Sequence, residues 1–140
     1  MKIKIPLQII ELEPGNYHII IKGVFANETT GNWIVDTGAS KTVFNKNLTE
    51  HYSILEGETD EIHTIGPGEQ RTEIQLAKID LKIGAQTINN LKVALLDFTH
   101  INELYQQTTG LKICGLIGSD FLIKYRAVID YKRKLLILTI

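Results

Sequence analysis

The segment Trp33-Ile34-Val35-Asp36-Thr37-Gly38-Ala39-Ser40 runs from apolar residues onto a carboxylate, a hydroxyl residue and a glycine. A carboxylate held where a strand ends can accept or deliver a proton during catalysis. The string Asp-Thr-Gly is weak on its own, since average composition yields it in roughly a few per cent of chains this long. A strand that closes on an Asp-initiated turn explains it equally well. Its context is more specific: an apolar strand precedes it and Ala39-Ser40-Lys41-Thr42-Val43-Phe44 follows. A second segment, Gly115-Leu116-Ile117-Gly118-Ser119-Asp120-Phe121-Leu122, sets an apolar pair between glycines ahead of a short helical stretch.

Other reactive side chains read more simply as structural. Asp120 stands where a helix starts and is expected to cap it; completing a pair of carboxylates within one chain is the rival reading. Asp130 precedes Tyr131 in a strand and has a structural role. Cys114 lies in an apolar run without a neighbouring His and behaves as a small buried hydrophobe. His18, His51, His63 and His100 lack the spacing of zinc ligands, so no metal is expected. Lys132-Arg133-Lys134 is a charged hairpin turn. Gly66-Pro67-Gly68 lacks the helix that a phosphate loop needs.

The chain has 140 residues, the size of one domain spanning 1–140. With 44% hydrophobic and 22% charged residues it is an ordinary globular composition, not a disordered tail or a coiled coil. A formal net charge of −1 argues against nucleic acid as the main partner. The single cysteine excludes an internal disulfide framework and suits a reducing compartment. No apolar run reaches the ~18 residues that would span a bilayer, so no membrane partner is expected. Gln8, Glu11 and Glu13 interrupt the N-terminal apolar stretch before it could act as a signal peptide. The cytoplasm is therefore expected if Met1 is the native start.

The elements that must position Asp36 are mostly strands. Period-two alternation predicts a strand over 2–12, with Pro6 at a sheet edge because it lacks a donor. Pro14-Gly15 turns the chain into a strand over 17–26. A loop over 27–32 precedes Trp33-Ile34-Val35, so these elements read as an antiparallel meander. Runs over 58–65 and 70–83 flank Gly66-Pro67-Gly68, a type II turn signature, and predict a long hairpin. Gly84-Ala85-Gln86 turns the chain into 87–97. Ile101, Leu104 and Tyr105 give helical spacing over 100–108, with Gly110 as the stop. A second short helix is expected over 120–125 with Ser119-Asp120 as its cap. Residues 126–131 and 134–140 form a closing hairpin.

In these two segments the chain resembles the retropepsin-like aspartic proteases, the retroviral proteases and their single-domain cellular relatives. The resemblance rests on Val35-Asp36-Thr37-Gly38-Ala39-Ser40, on Gly115 to Leu122, on the glycine-tipped hairpin between them and on the closing Ala127-Val128-Ile129-Asp130-Tyr131 strand. It covers roughly residues 17–140. It implies an all-β, closed-barrel-like domain with one or two short helices and a β-hairpin flap. It also implies an aspartic endopeptidase acting on peptide or protein substrates without metal or organic cofactor. Asp36, Thr37 and Gly38 would be catalytic; Ala39, Ser40, Ile65, Gly66, Gly68 and Ile117 would line the substrate. Gly38 would let the backbone approach the carboxylate and take unusual dihedrals, and Thr37 would hydrogen-bond to a partner loop. With one Asp-Thr-Gly per chain and two carboxylates needed, the resemblance implies a homodimer. Ala39 has no hydroxyl to offer the carboxylate, so a weakly acidic working range is expected. The spacing between the two motifs exceeds that of the smallest retroviral enzymes, and residues 98–112 are expected to hold the extra length. A non-catalytic peptide-binding or assembly module on the same fold is the alternative.

Overall fold

Alternation at Lys2-Ile3-Lys4-Ile5 buries the two isoleucines and exposes the two lysines, which makes strand β1 (Lys2–Pro6). These coordinates form a computed structural model, which describes the backbone of residues 1–64 and 70–140 and the side chains of 1–58 and 74–140. The hairpin tip expected at Ile65, Gly66, Pro67 and Gly68, and the side chain of His63, lie outside the described residues.

The strand expected over 2–12 is two strands. The Leu7 N–H donates to the Lys134 carbonyl at 2.9 Å, and the chain then enters another sheet as β2 (Gln8–Glu13). Pro6 sits on an edge as expected, because β1 is the outer strand of its sheet. The strands β3 (Asn16–Phe25) and β4 (Thr30–Val35) complete the antiparallel meander with β2. The loop before Asp36 is shorter than expected. Thr30 and Gly31 already pair with Val24 and Gly23, so Gly31 extends the ladder and does not break it.

Beyond the Asp36 loop come β5 (Val43–Asn45), a 3-10 turn at Thr49–His51, β6 (Ser53–Thr64), β7 (Gln70–Ile83) and β8 (Gln86–Leu96). Then follow helix α1 (Thr99–Thr109), β9 (Ile113–Ile117), helix α2 (Ser119–Lys124), β10 (Val128–Asp130) and β11 (Leu135–Thr139). The all-β expectation with two short helices holds, and α1 lies within the segment 98–112. Gly110 stops α1 with φ at 72°, a left-handed value that glycine adopts without strain.

Eight strands form one sheet in the order β2-β3-β4-β9-β5-β8-β7-β6, and three form another in the order β1-β11-β10. The larger sheet curls until β7 meets β3 through Val24↔Lys82 and Phe25↔Leu81. The decisive feature is β9. It lies between β4 and β5, parallel to one and antiparallel to the other, so the Asp36 loop bridges two strands that straddle it. Trp33, Phe44 and Ile117 are fully buried around this crossing, with Trp33 stacked on Phe44 at 5.5 Å between centroids. Large apolar and aromatic surfaces removed from water are the main force holding the crossing.

The two chain ends meet within one chain. Strand β1 pairs with β11, the Met1 ammonium donates to the Ile140 carbonyl at 3.0 Å, and the Ile140 N–H donates back at 2.8 Å. No helix among the described residues is long and apolar enough to cross a membrane.

Candidate active site

Asp36 is the first residue beyond β4. Its N–H donates to the Ile117 carbonyl at 2.9 Å, which prolongs the β4–β9 pairing by one step. Its carboxylate Oδ1 accepts the Gly38 N–H at 2.9 Å, and its carbonyl accepts the Ala39 N–H at 3.2 Å. The Asp-initiated turn is therefore real, and it aims the carboxylate outward from the end of the strand. Asp36 is half-buried, while Thr37, Gly38 and Ser40 are exposed.

Gly38 does not have the unusual dihedrals expected of it, since it is absent from the residues at positive φ. A Cβ there would meet Asp36 Oδ1 at 3.4 Å, an ordinary contact. Nothing among the described residues demands glycine at the position. The Thr37 hydroxyl likewise has no hydrogen bond among the described residues.

The far side of the loop is locked. Thr42 is buried; its hydroxyl donates to Asp120 Oδ1 at 2.7 Å and accepts the Gly118 N–H at 3.1 Å. Its N–H donates to Asp120 Oδ2 at 3.1 Å, and the Ser119 N–H donates to the Ala39 carbonyl at 2.7 Å. The cap position of α2 is Gly118, without a side-chain bond, but Asp120 still serves the first turn, where its Oδ1 accepts the Phe121 N–H at 2.8 Å while the carboxylate also reaches across to Thr42. Those bonds also leave Asp120 occupied as a strut and not as a second catalytic carboxylate.

The glycines of the second motif are explained by close approach. A Cβ on Gly118 would stand 2.6 Å from the Lys41 carbonyl, and one on Gly115 would stand 2.4 Å from the Trp33 ring. Larger residues would push β9 and α2 away from the Asp36 loop.

Asp36 and Thr37 open onto a cavity of about 420 Å³. Ile34, Leu116 and Ile129 supply apolar walls, α1 contributes Ile101, Leu104 and Tyr105, and Tyr17 and Tyr131 stand at the mouth. Ile117, expected to line substrate, does not reach this space. It is fully buried in the core, and Leu116 faces the cavity instead, because neighbouring residues on a strand point to opposite faces. Ala39 and Ser40 sit on the loop but do not line the cavity; Ala39 serves through its carbonyl.

One polar pair in the cavity was missed from sequence. The Tyr105 hydroxyl lies 2.6 Å from His18 Nδ1. Burial, followed by the nearby charge of Asp36, pushes the Tyr105 phenol up to about 12. Helix α1 is fixed beside the site by Asn102, whose amide accepts the Ile113 N–H at 2.7 Å and donates to its carbonyl at 3.1 Å. Neither pairing has a signal in spacing. Both join residues whose neighbours in sequence belong to different elements.

The remaining candidates are structural. Cys114 is buried, and desolvation raises its thiol far above the reactive range. Asp130 accepts the Arg133 N–H at 2.9 Å inside the charged hairpin turn. His51 stacks on Phe25 at 3.8 Å between centroids.

The aspartyl protease family model matches residues 21–121, which include the Asp36 loop, β9 and the start of α2. The chain belongs to the aspartyl protease family. The fold of this aspartyl protease chain is that of retropepsin-like enzymes. A retropepsin-like aspartic protease from Rickettsia conorii superposes with a TM-score of 0.54 at 21% identity, covering 99% of this chain and 89% of that one. The retroviral protease-like domain of Ddi1 from Leishmania major gives 0.53 at 19% identity, covering 84% of each. No curated protein matches the sequence at a significant level.

Proposed function

We propose that this chain is an aspartic endopeptidase whose active unit is a homodimer, with Asp36 of each copy beside a two-fold axis. One observation carries the reading: a single carboxylate, held by Gly38 at the mouth of an apolar cavity, on a loop whose exposed Thr37 hydroxyl has no hydrogen bond among the described residues. An opposing identical loop would supply a partner for the Thr37 hydroxyl. It would also give a reason for glycine at 38, where nothing among the described residues requires it.

Two carboxylates about 3 Å apart cannot both ionise and so share one proton, as in aspartic protease dyads generally. The ionised partner takes a proton from water, and the water oxygen attacks the scissile carbonyl carbon. The protonated partner gives its proton to the carbonyl oxygen. When the tetrahedral carbon expels the amine, the C–N bond electrons leave with nitrogen, which takes up a proton from the dyad. Substrate lies extended, hydrogen-bonded as an added strand. The β6–β7 hairpin covers it, and an apolar side chain beside the scissile bond enters the space between Leu104 and Leu116.

Asp36→Asn keeps the shape and removes the shared proton. Wild type should cleave peptides with apolar residues at weakly acidic pH. The Asn variant should lose cleavage by about a thousandfold or more, with its melting temperature unchanged. Cleavage by the variant near the wild-type rate would move the chemistry away from Asp36.

A further inference from the structure

A second cavity, of about 520 Å³, lies where the chain leaves one sheet and enters the other, between β1 and β2. Its volume falls within the range of small-molecule sites. It sits over a gap in the larger sheet. On one edge β3 pairs with β2 as far as Gln8↔Ile20 and with β7 from Val24↔Lys82, so residues 21–23 pair there with neither. Ile5, Leu7, Ile20 and Val24 line the space. Pro6 lines it too and brings no N–H. Two cations stand on this apolar lining. Lys22 and Lys82 are exposed and both border the cavity, whose lining holds no Asp or Glu. Val24 lies opposite Lys82 and two residues along from Lys22, so the lysines are diagonal neighbours on one face, about 7–8 Å apart at Cα. The residues paired with them on their other sides, Asn32 of β4 and Thr87 of β8, are neutral. Neither ammonium forms an ion pair among the described residues.

Like charges held side by side repel each other, and an anion between them turns that repulsion into attraction. The geometry points to a binding site for a medium-chain aliphatic carboxylate, its tail in the cavity and its carboxylate between Lys22 and Lys82. A peptide running along β3 would have to displace β2 or β7, which hold the edge on either side of the gap. An alkyl tail needs no hydrogen bonds and so suits a wall of aliphatic side chains. The site shares no lining residue with the cavity of Asp36, so it stands or falls apart from the protease reading.

The test titrates the full chain at neutral pH with hexanoate, octanoate and decanoate below their micelle concentrations, read by calorimetry and by backbone amide shifts. One decanoate should bind per chain, with shifts centred on residues 5–8, 20–24 and 82–84. Each pair of added methylenes should tighten binding about tenfold. Decanol, which has the tail without the charge, should bind about tenfold more weakly than decanoate. The double variant Lys22→Gln, Lys82→Gln should weaken decanoate by about tenfold and leave decanol binding and the melting temperature unchanged. Lys22→Glu with Lys82→Glu should favour decyltrimethylammonium over decanoate. Asp36→Asn should bind decanoate as wild type does. Equal binding of decanoate and decanol, a Gln variant that binds decanoate as tightly as wild type, or no saturable binding overturns the site. Shifts centred on Asp36 and Leu116 put the tail in the other cavity and overturn it as well. Binding to phosphatidylglycerol vesicles without binding of monomeric decanoate assigns the two lysines to a lipid surface, with the same result.

Discussion

At the scale of single residues, the Asp36 loop depends on side chains that do no chemistry. The hydroxyl and N–H of buried Thr42 make three hydrogen bonds, two of them to the Asp120 carboxylate. Thr42→Val keeps the shape, leaves the buried Gly118 N–H without its acceptor, and leaves Asp120 Oδ1 with the Phe121 N–H alone. Unfolding in denaturant should show a loss of about 2–3 kcal/mol, and cleavage should fall because the loop loosens against α2. A loss under half a kcal/mol would mean that packing alone holds the loop. Tyr105 makes a second residue-level case. Its phenol, ordinarily near 10, titrates at about 12 in the folded chain. The folded state therefore holds this proton more tightly than the unfolded one. The stability this contributes is fully present below about pH 10 and is lost as pH rises through about 12. Tyr105→Phe should cost about 1 kcal/mol at neutral pH for the lost bond to His18. It should also flatten the fall in melting temperature between pH 10 and 12, and identical alkaline limbs would remove Tyr105 as the cause.

Among elements, two glycines separate conformation from close approach. Gly110 ends α1 at positive φ with nothing near a Cβ, whereas Gly118 is extended with the Lys41 carbonyl 2.6 Å from where a Cβ would stand. Gly110→Ala should cost about 1 kcal/mol of stability and leave cleavage intact. Gly118→Ala must shift α2 or the Asp36 loop, so it should abolish cleavage even in protein that remains folded by circular dichroism. Equal effects of the two would show that the approach of α2 does not set the loop. Helix α1 belongs to the same argument. Asp97 accepts the Thr99 N–H at 2.9 Å to start it, and Asn102 pins it to β9, so an inserted element becomes a rigid cavity wall.

For the whole molecule, the proposed homodimer would make activity depend on association, because each chain has one Asp-Thr-Gly. Specific activity should fall on dilution through the dimer dissociation constant measured by sedimentation. Constant specific activity in a sample shown to be monomeric would require a second carboxylate within the chain. Asp120 is tied to Thr42, so such a result would have to break that strut.

The features legible in the sequence were those set by neighbours along the chain. Alternating residues gave the strands, Gly110 gave the end of α1, and Asp36 through Gly38 formed their turn because the partners are two residues apart. The family was legible for the same reason, since each motif is a continuous segment. Other features needed the tertiary structure. The strand expected over 2–12 divides at Leu7 because the Lys134 carbonyl, remote in sequence, captures its N–H. Leu116 faces the cavity and Ile117 the core because the register of β9 between β4 and β5 fixes which face each takes. The bonds of Thr42 to Asp120 and of His18 to Tyr105 join residues 78 and 87 positions apart. Local propensity carries no information about such pairs. They are decided when buried polar groups must find partners in the one packing that also buries Trp33, Phe44 and Ile117.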